Sequence, residues 1–278
     1  MLHGMADEAL DGHTPLLGAV QETMLVTLHA RATAGDADAA RLVAAIDYDF
    51  ARFERHAGPT AVFHVLRSNA MDEWTRRFLA ERPHGTVVEL GAGLSTRGDR
   101  LDNGTAHWCY VDLPDAAEFR RALLPDGERR RTITGSVLDP GWADEVAAEP
   151  GPYLFLAEGV LVYLDPVDVR RALSIVATRF PGCRIALDTY GEWIIAKPRG
   201  PLAGMAADLV WSCEDPKALE EWDLGLTLRE SWPLSRPDWA VRRGLSRRTR
   251  AVLAGINTFV PRKMTNTRVN LFSVDAAD

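Results

Sequence analysis

The sequence predicts an α/β fold: a seven-stranded, mostly parallel sheet with helices on both faces and a helical cap at the N-terminal end. Three observations carry this. In VVELGAGLSTR (87–97) an apolar, β-branched run enters a glycine loop and then a helix-like segment, and Asp112 follows nineteen residues after Gly93. From residue 86 to 188 strand-like and helix-like segments alternate, which implies a parallel sheet layered between helices. The first 80 residues, in contrast, show apolar positions at three- and four-residue spacing alone.

Taken in order, LLGAVQETMLVTLHARA (16–32) and ADAARLVAAIDYDFARF (37–53) read as two helices, with Gly35 and Asp36 as stop and start. Gly58-Pro59 breaks the pattern, and a third helix over 61–80 ends near Pro83. Strands are expected at 86–90, 107–112, 131–134, 153–157 and 183–188, with helices at 95–101, 115–124, 141–148 and 166–179 between them. Asp165-Pro166 is a helix entry, the Asp capping free N–H groups and the Pro preset for the first turn. Residues 191–215, with Trp193 and Trp211, read as an irregular insertion before a helix at 216–223 and strands at 225–231 and 268–274. The division expected is a cap over 1–83 and a core over 84–278, with substrate-side insertions near 191–215 and 233–262.

Composition narrows the function. With 278 residues, 46% of them apolar and 26% charged, the chain can bury a full core. A net charge of −7 argues against nucleic acid or an anionic membrane as a main partner. No apolar run approaches the roughly 18–20 residues that span a bilayer. Three scattered cysteines, Cys109, Cys183 and Cys213, form neither a disulfide framework nor a zinc site, and a cytoplasmic home follows as the expectation. No metal-ligand pattern is visible in the sequence.

The glycine loop is the shape of a nucleotide-cofactor pocket. Gly91 and Gly93 let backbone approach a ligand, and an acid at the end of the next strand, Asp112, is placed for ribose hydroxyls. A dinucleotide site needs a third glycine where this chain has Thr96. The acidic Glu89 just before Gly-x-Gly resembles the first motif of class I methyltransferases, which implies a pocket for S-adenosylmethionine, a ligand with no pyrophosphate. Ser136-Val137 is placed to border adenine, and Glu158, a carboxylate between apolar runs, to lie near the methionyl ammonium.

AEGVLVYL (157–164) together with VVELGAGLSTR resembles the leucine carboxyl methyltransferase family, and within it the polyketide-synthesis O-methyltransferases. The likeness runs from QETMLVTLHARA (21–32) through VLRSNAMDEWTRRFL (65–79) and TGSVLDPGWADEV (134–146) to RFPGCRIALDTYGEW (179–193). It implies a class I, Rossmann-like methyltransferase core that uses S-adenosylmethionine and releases S-adenosylhomocysteine. It further implies Arg67 as partner of the cofactor carboxylate, with Arg31 as a second basic contact. Gly91 would lie against the methionyl part, Asp112 on the ribose, Ser136 and Val137 beside adenine, and Glu158 as the acid of the fourth-strand motif. Protein-directed members carry Asp where this chain has Ser136, which leaves a neutral hydroxyl or a backbone contact at that place.

The reaction expected is O-methylation of a carboxylate or hydroxyl on a small molecule of polyketide type, with a homo-oligomer left open. A carboxylate needs no base at neutral pH, whereas a phenol of pKa near 10 gains from one. No histidine or tyrosine singles itself out as that base: His29, His56 and His64 fall on the cap helices, and Tyr163 and Tyr190 follow strands. Trp193 and Trp211 either line an aromatic pocket or pack in the core. The basic run around Arg242-Arg243 and Arg247-Arg248 reads as a solvated helix face. The alternatives are a protein C-terminal leucine carboxyl methyltransferase, an NAD-dependent oxidoreductase and a cofactor-binding protein without catalysis.

Overall fold

Seven strands form one sheet in the computed structural model, which describes residues 12–54, 61–196, 205–237, 241, 245, 247–259 and 266–276. His56, the Gly58-Pro59 break, Arg242-Arg243 and parts of both insertions lie outside these residues. The strands are β1 (Thr86–Leu90), β2 (His107–Asp112), β3 (Arg130–Thr134), β4 (Tyr153–Ala157), β5 (Arg184–Tyr190), β6 (Leu226–Pro233) and β7 (Thr267–Val274). Their order is β3-β2-β1-β4-β5-β7-β6, and β7 runs antiparallel to both of its neighbours. The chain works outward from β1 to β3, then returns to lay β4 on the other side of β1. Open α/β sheets bind ligands at such a reversal, outside the carboxyl ends of the strands.

Side-chain alternation sorts the strands between two cores. Val88, Leu90, Val111, Phe155 and Leu187 face Trp142 and Val146 of α7 (Gly141–Ala147) and Leu173 and Val176 of α8 (Pro166–Arg179). Val87, Trp108, Leu154, Leu156 and Ala186 face Leu66, Met71, Trp74 and Phe78 of α4 (Ala61–Glu81). Period two puts Glu89 on the α4 side, where it is 3% exposed. Its carboxylate must therefore find partners inside the protein.

α1 (Thr23–Thr33), α2 (Ala37–Ala45) and the short α3 (Ala51–Glu54) form a third core, in which Leu25, Leu28, Leu42 and Phe53 meet Leu94, Phe119 and Leu123. Asp36 caps α2 by accepting from the N–H of Ala39, and Asp165 caps α8 through Asp168. Two expected helices are shorter than their periodicity suggests. The first begins only at Thr23, because Gly18 is held by the side chain of Asp115 on α6 (Pro114–Leu123). The second stops at Ile46, whose extended backbone bridges to His13.

The first 80 residues do not all lie over the strand ends. α1 does, but α4 only starts there. Its apolar side chains then carry it along a face of the sheet, where Ala70, Trp74 and Phe78 continue the stripe begun by Leu66. The segment expected as a helix at 216–223 is a 3-10 helix over Pro216–Trp222, ended by Asp223 in the left-handed region. α5 (Arg97–Leu101), α9 (Glu192–Ala196), α10 (Arg247–Phe259) and a second 3-10 helix over Leu161–Tyr163 complete the described helices. No helix among them is long and apolar enough to cross a membrane.

Candidate active site

A cavity of about 330 Å³ opens at the carboxyl ends of the strands, roofed by α1 and the first turns of α4. Arg67, Glu89, Gly91, Gly93, Asp112, Ser136, Val137 and Glu158, the eight positions singled out in the sequence, all line it. One end lies over β1, β2 and β3 and takes in Glu158 after β4, and the other lies over β5 and β7.

The loop after β1 sets the first end. Gly91 and Gly93 sit at φ +60° and +49°, where L side chains are strained. A Cβ on Gly91 would collide with Val160 Cγ2, and one on Gly93 would meet Met24 Cβ at 3.0 Å. Gly93 donates its N–H to Asp112 Oδ2 at 2.6 Å, and Leu113 donates to Oδ1 at 2.9 Å. Asp112 is thus fixed with both oxygens oriented, while burial raises its pKa. From behind, Arg120 donates to the carbonyls of Gly93 and Ser95 and lies 3.6 Å from the centre of the Tyr110 ring. Ser136 Oγ accepts from Leu138 N–H at 3.2 Å, so it closes a turn as well as lining the cavity.

Under the loop runs a buried ion network. Arg97, 1% exposed, donates to Asp72 and Glu158 at 2.7 Å each and to Glu89. Glu158 in turn meets Arg67 Nε at 3.2 Å. Arg67 Nη1 donates to Asp188 at 2.9 Å and to the Tyr190 hydroxyl at 2.6 Å. Tyr190 itself donates to Asp188, which also accepts from Gly159 N–H. The guanidinium groups of Arg97 and Arg67 hold Glu158 below the usual carboxylate range even though it is buried. Asp188 is shifted the other way, since its complete burial outweighs the pull of Arg67.

This network changes the reading of two residues. Arg67 and Glu158 line the cavity, but their first partners are protein groups. Two of the three guanidinium nitrogens of Arg67 are taken, and Nη2 has no partner among the described residues. Arg31 also lines the cavity, yet pairs with Asp36 and donates to Thr96 Oγ1 at 2.7 Å. Thr96, the residue at the third fingerprint position, is fully buried as the shared acceptor of Arg31 and Arg100.

The other end is apolar and aromatic: Phe63, Val162, Tyr163, Trp193, Ile194 and Leu234 line it. The two tryptophans part company here. Trp193 lines the cavity, whereas Trp211 is 3% exposed in the core, 6.5 Å from Trp222. His29 is stacked on Phe50 away from the cavity, but His64 lines it. Sequence reasoning missed Asp72, Arg97 and Asp188 as members of the ion network that holds the lining residues. Asp188 carried the same signal as Asp112, an acid closing an apolar strand. Arg97 ended the quoted loop motif, but nothing in sequence alone joins it to Asp72, which is 25 residues away.

With this geometry in place, the comparisons are direct. The family model of leucine carboxyl methyltransferase matches residues 15–177. The tetracenomycin polyketide synthesis O-methyltransferase TcmP of Streptomyces glaucescens is 36% identical over 234 residues, 80% of this chain and 86% of its own. The S-adenosyl-L-methionine-dependent methyltransferase dpfgK of Gibberella zeae is 27% identical over 81% of this chain and 86% of its own. A candidate methyltransferase from Thermobifida fusca, 18% identical, superposes over 97% of this chain and 98% of its own with a TM-score of 0.59, which is a likeness of fold. Matched by the family model over more than half of its length, and by TcmP over four fifths, the chain belongs to the leucine carboxyl methyltransferase family.

Proposed function

We propose that this protein is an S-adenosylmethionine-dependent O-methyltransferase whose acceptor is a small, largely planar molecule of polyketide type, methylated on a carboxylate or hydroxyl oxygen. The observation that carries the reading is the single cavity joining Gly91, Gly93, Asp112, Ser136, Val137 and Glu158 at the chain reversal beside β1. Kinship to TcmP supports the acceptor class, as does the aromatic wall of Phe63, Tyr163 and Trp193.

The residues present suit the cofactor. Gly91 and Gly93 give the loop its left-handed turn, packed against Val160 and Met24, and so bring its backbone to the cavity wall. The charged residues lining the cavity are Arg31, Arg67, Glu89, Asp112 and Glu158, one acid in excess among the described residues. A ligand with a sulfonium, an ammonium and a carboxylate carries the complementary net positive charge. Asp112, its two oxygens oriented by backbone N–H groups, would accept from the ribose hydroxyls. Ser136 and Val137 would border the adenine, and Arg67 has Nη2 left for the carboxylate. Glu158 would act on the ammonium with the lone pairs that Arg67 and Arg97 leave, and Glu89 would add its charge from below.

The bound cofactor supplies a methyl group already activated by positive sulfur. The protein's work is then to align and to exclude water. The α1 roof closes one side, and the aromatic end offers flat contact to the acceptor. Transfer of labelled methyl groups to a panel of aromatic acids and phenols, and to peptides ending in leucine, tests the reading. Labelling of the aromatic compounds is expected. Labelling of the peptides alone would overturn the acceptor class, and no labelling with no cofactor binding would overturn the function.

A further inference from the structure

Two residues, Arg31 on α1 and Ser68 on α4, line both the main cavity and a smaller polar cavity of about 170 Å³ beside it. The smaller cavity already holds its charges in pairs: Asp36 meets Arg31, and Asp72 meets Arg100. Ser68 is 4% exposed, and its hydroxyl has no hydrogen-bond partner among the described residues. Thr75 on the same helix shows the usual alternative, since its hydroxyl donates to the carbonyl of Met71 four residues back. Ser68 Oγ is not one of the orphaned atoms sealed in the interior, so it stays open to the cavities. Two further donors share this wall. Arg67 donates through Nε and Nη1 and Arg31 through Nε and Nη2, which leaves Arg67 Nη2 and Arg31 Nη1 without partners among the described residues. Neither is sealed. Their surroundings put all three at the cofactor end. Arg67 touches Glu158, and Arg31 is near enough to help hold that carboxylate ionised. Ser68 lies next to Arg67 and one turn before Asp72, whose carboxylate takes Arg97 and Arg100 beneath the glycine loop. Arg31 reaches the same loop through Thr96. Buried donors without acceptors call for a partner, and cationic ones for an anion.

We propose that Ser68 is a cofactor-binding residue: its hydroxyl donates to the methionyl carboxylate, which sits among Ser68 Oγ, Arg67 Nη2 and Arg31 Nη1. The inference rests on the function proposed above and adds a neutral donor to the two arginines that the family resemblance implies. A carboxylate offers about four lone-pair sites on its two oxygens, enough for three donors. The hydroxyl supplies a directed bond without a further charge to bury. Unpartnered within the protein, it contributes nothing to the fold by itself, so its gain comes on binding.

The test compares two ligands on the full chain by calorimetry: S-adenosylhomocysteine, and its decarboxylated form, which keeps the ammonium and lacks the carboxylate. Ser68→Ala is expected to weaken S-adenosylhomocysteine about tenfold, the worth of a hydrogen bond to a charged group. The same variant should bind the decarboxylated form within about twofold of wild type. Without ligand, Ser68→Ala should melt no lower than wild type, since it loses no bond within the protein. A crystal structure of the wild-type chain with S-adenosylhomocysteine should set a carboxylate oxygen within about 3.2 Å of Ser68 Oγ. That readout holds even if the variant fails to fold or the decarboxylated form binds too weakly to measure. The proposal is overturned by unchanged affinity for S-adenosylhomocysteine in Ser68→Ala, by equal losses for the two ligands, or by a carboxylate held away from Ser68. Failure of S-adenosylhomocysteine to bind wild-type protein would instead overturn the function on which the inference rests.

Discussion

The two ends of the cavity are built on opposite principles. Over β1, β2 and β3 the wall is polar, and nearly every group is fixed by another protein group. Asp112 is held by two N–H donors, the glycine loop by Arg120, and Glu89 and Glu158 by Arg97. Over β5 and β7 the wall is largely flat and aromatic, with Phe63, Tyr163 and Trp193 lining it. A preorganised polar end suits a ligand of constant structure. An apolar end with few fixed polar groups suits a partner whose shape varies among relatives. The same contrast sorts the expected effects: substitutions in the ion network of the first end should damage the fold, Asp112 there should bear on the cofactor, and substitutions at the second end should change which acceptor is bound.

The largest effect is expected from Arg97→Met, which strips partners from the buried carboxylates of Asp72, Glu89 and Glu158. Breaking one buried pair costs about 3–5 kcal/mol, so urea denaturation should show a loss of about 4 kcal/mol or more. A loss under about 1 kcal/mol would show that the network does not hold this end together. Glu158, which bridges Arg67 and Arg97, is for the same reason a poor probe of the cofactor alone. Gly91→Ala comes next. Its φ of +60° and the approach of Val160 predict a stability loss of about 1–3 kcal/mol together with weaker cofactor binding, both readable by a thermal melt with and without S-adenosylhomocysteine.

At the aromatic end, Trp193→Ala should lower kcat/KM for an aromatic acceptor about tenfold while leaving cofactor affinity within about twofold. Equal loss of both would erase the distinction between the two ends. The smallest effect concerns pH. His64 titrates near 6.5 when unfolded and near 3 in the fold, so the unfolded state binds the extra proton between those values. Stability is therefore full above pH 6.5 and declines as pH falls toward 3. For a ring partly open to the cavity, the decline from pH 6.5 to 5 should be about 1 kcal/mol, and His64→Phe should flatten it. Below pH 4 the steeper loss belongs to Asp36, Asp72 and Glu158, whose lowered pKa values make their ionised forms stabilising.

The sequence reveals these two ends unequally. Strand positions from Thr86 to Ala157 follow from apolar runs and turn residues, because a buried parallel strand leaves a local signature. The cofactor end is readable for a similar reason: its glycines and acids stand at the strand ends, at set distances along the chain. The aromatic end draws Phe63 from α4, Trp193 from α9 and Leu234 from the end of β6. No spacing links such residues, and His64, which lines the cavity, is indistinguishable in sequence from His29, which packs against Phe50. Helix lengths at the N-terminal end failed for a related reason. The His13–Ile46 bridge and the Asp115 contact to Gly18 are long-range, and they override local periodicity.

The central claim is that Asp112, fixed by Gly93 and Leu113, holds the methyl donor at the preorganised end. Calorimetry with S-adenosylhomocysteine on wild-type protein and on Asp112→Ala tests it most directly. The account predicts one molecule bound per wild-type chain, and an affinity about 10- to 100-fold weaker in an Asp112→Ala variant that still folds. Equal affinity in the two folded proteins, or no binding to either, would contradict it.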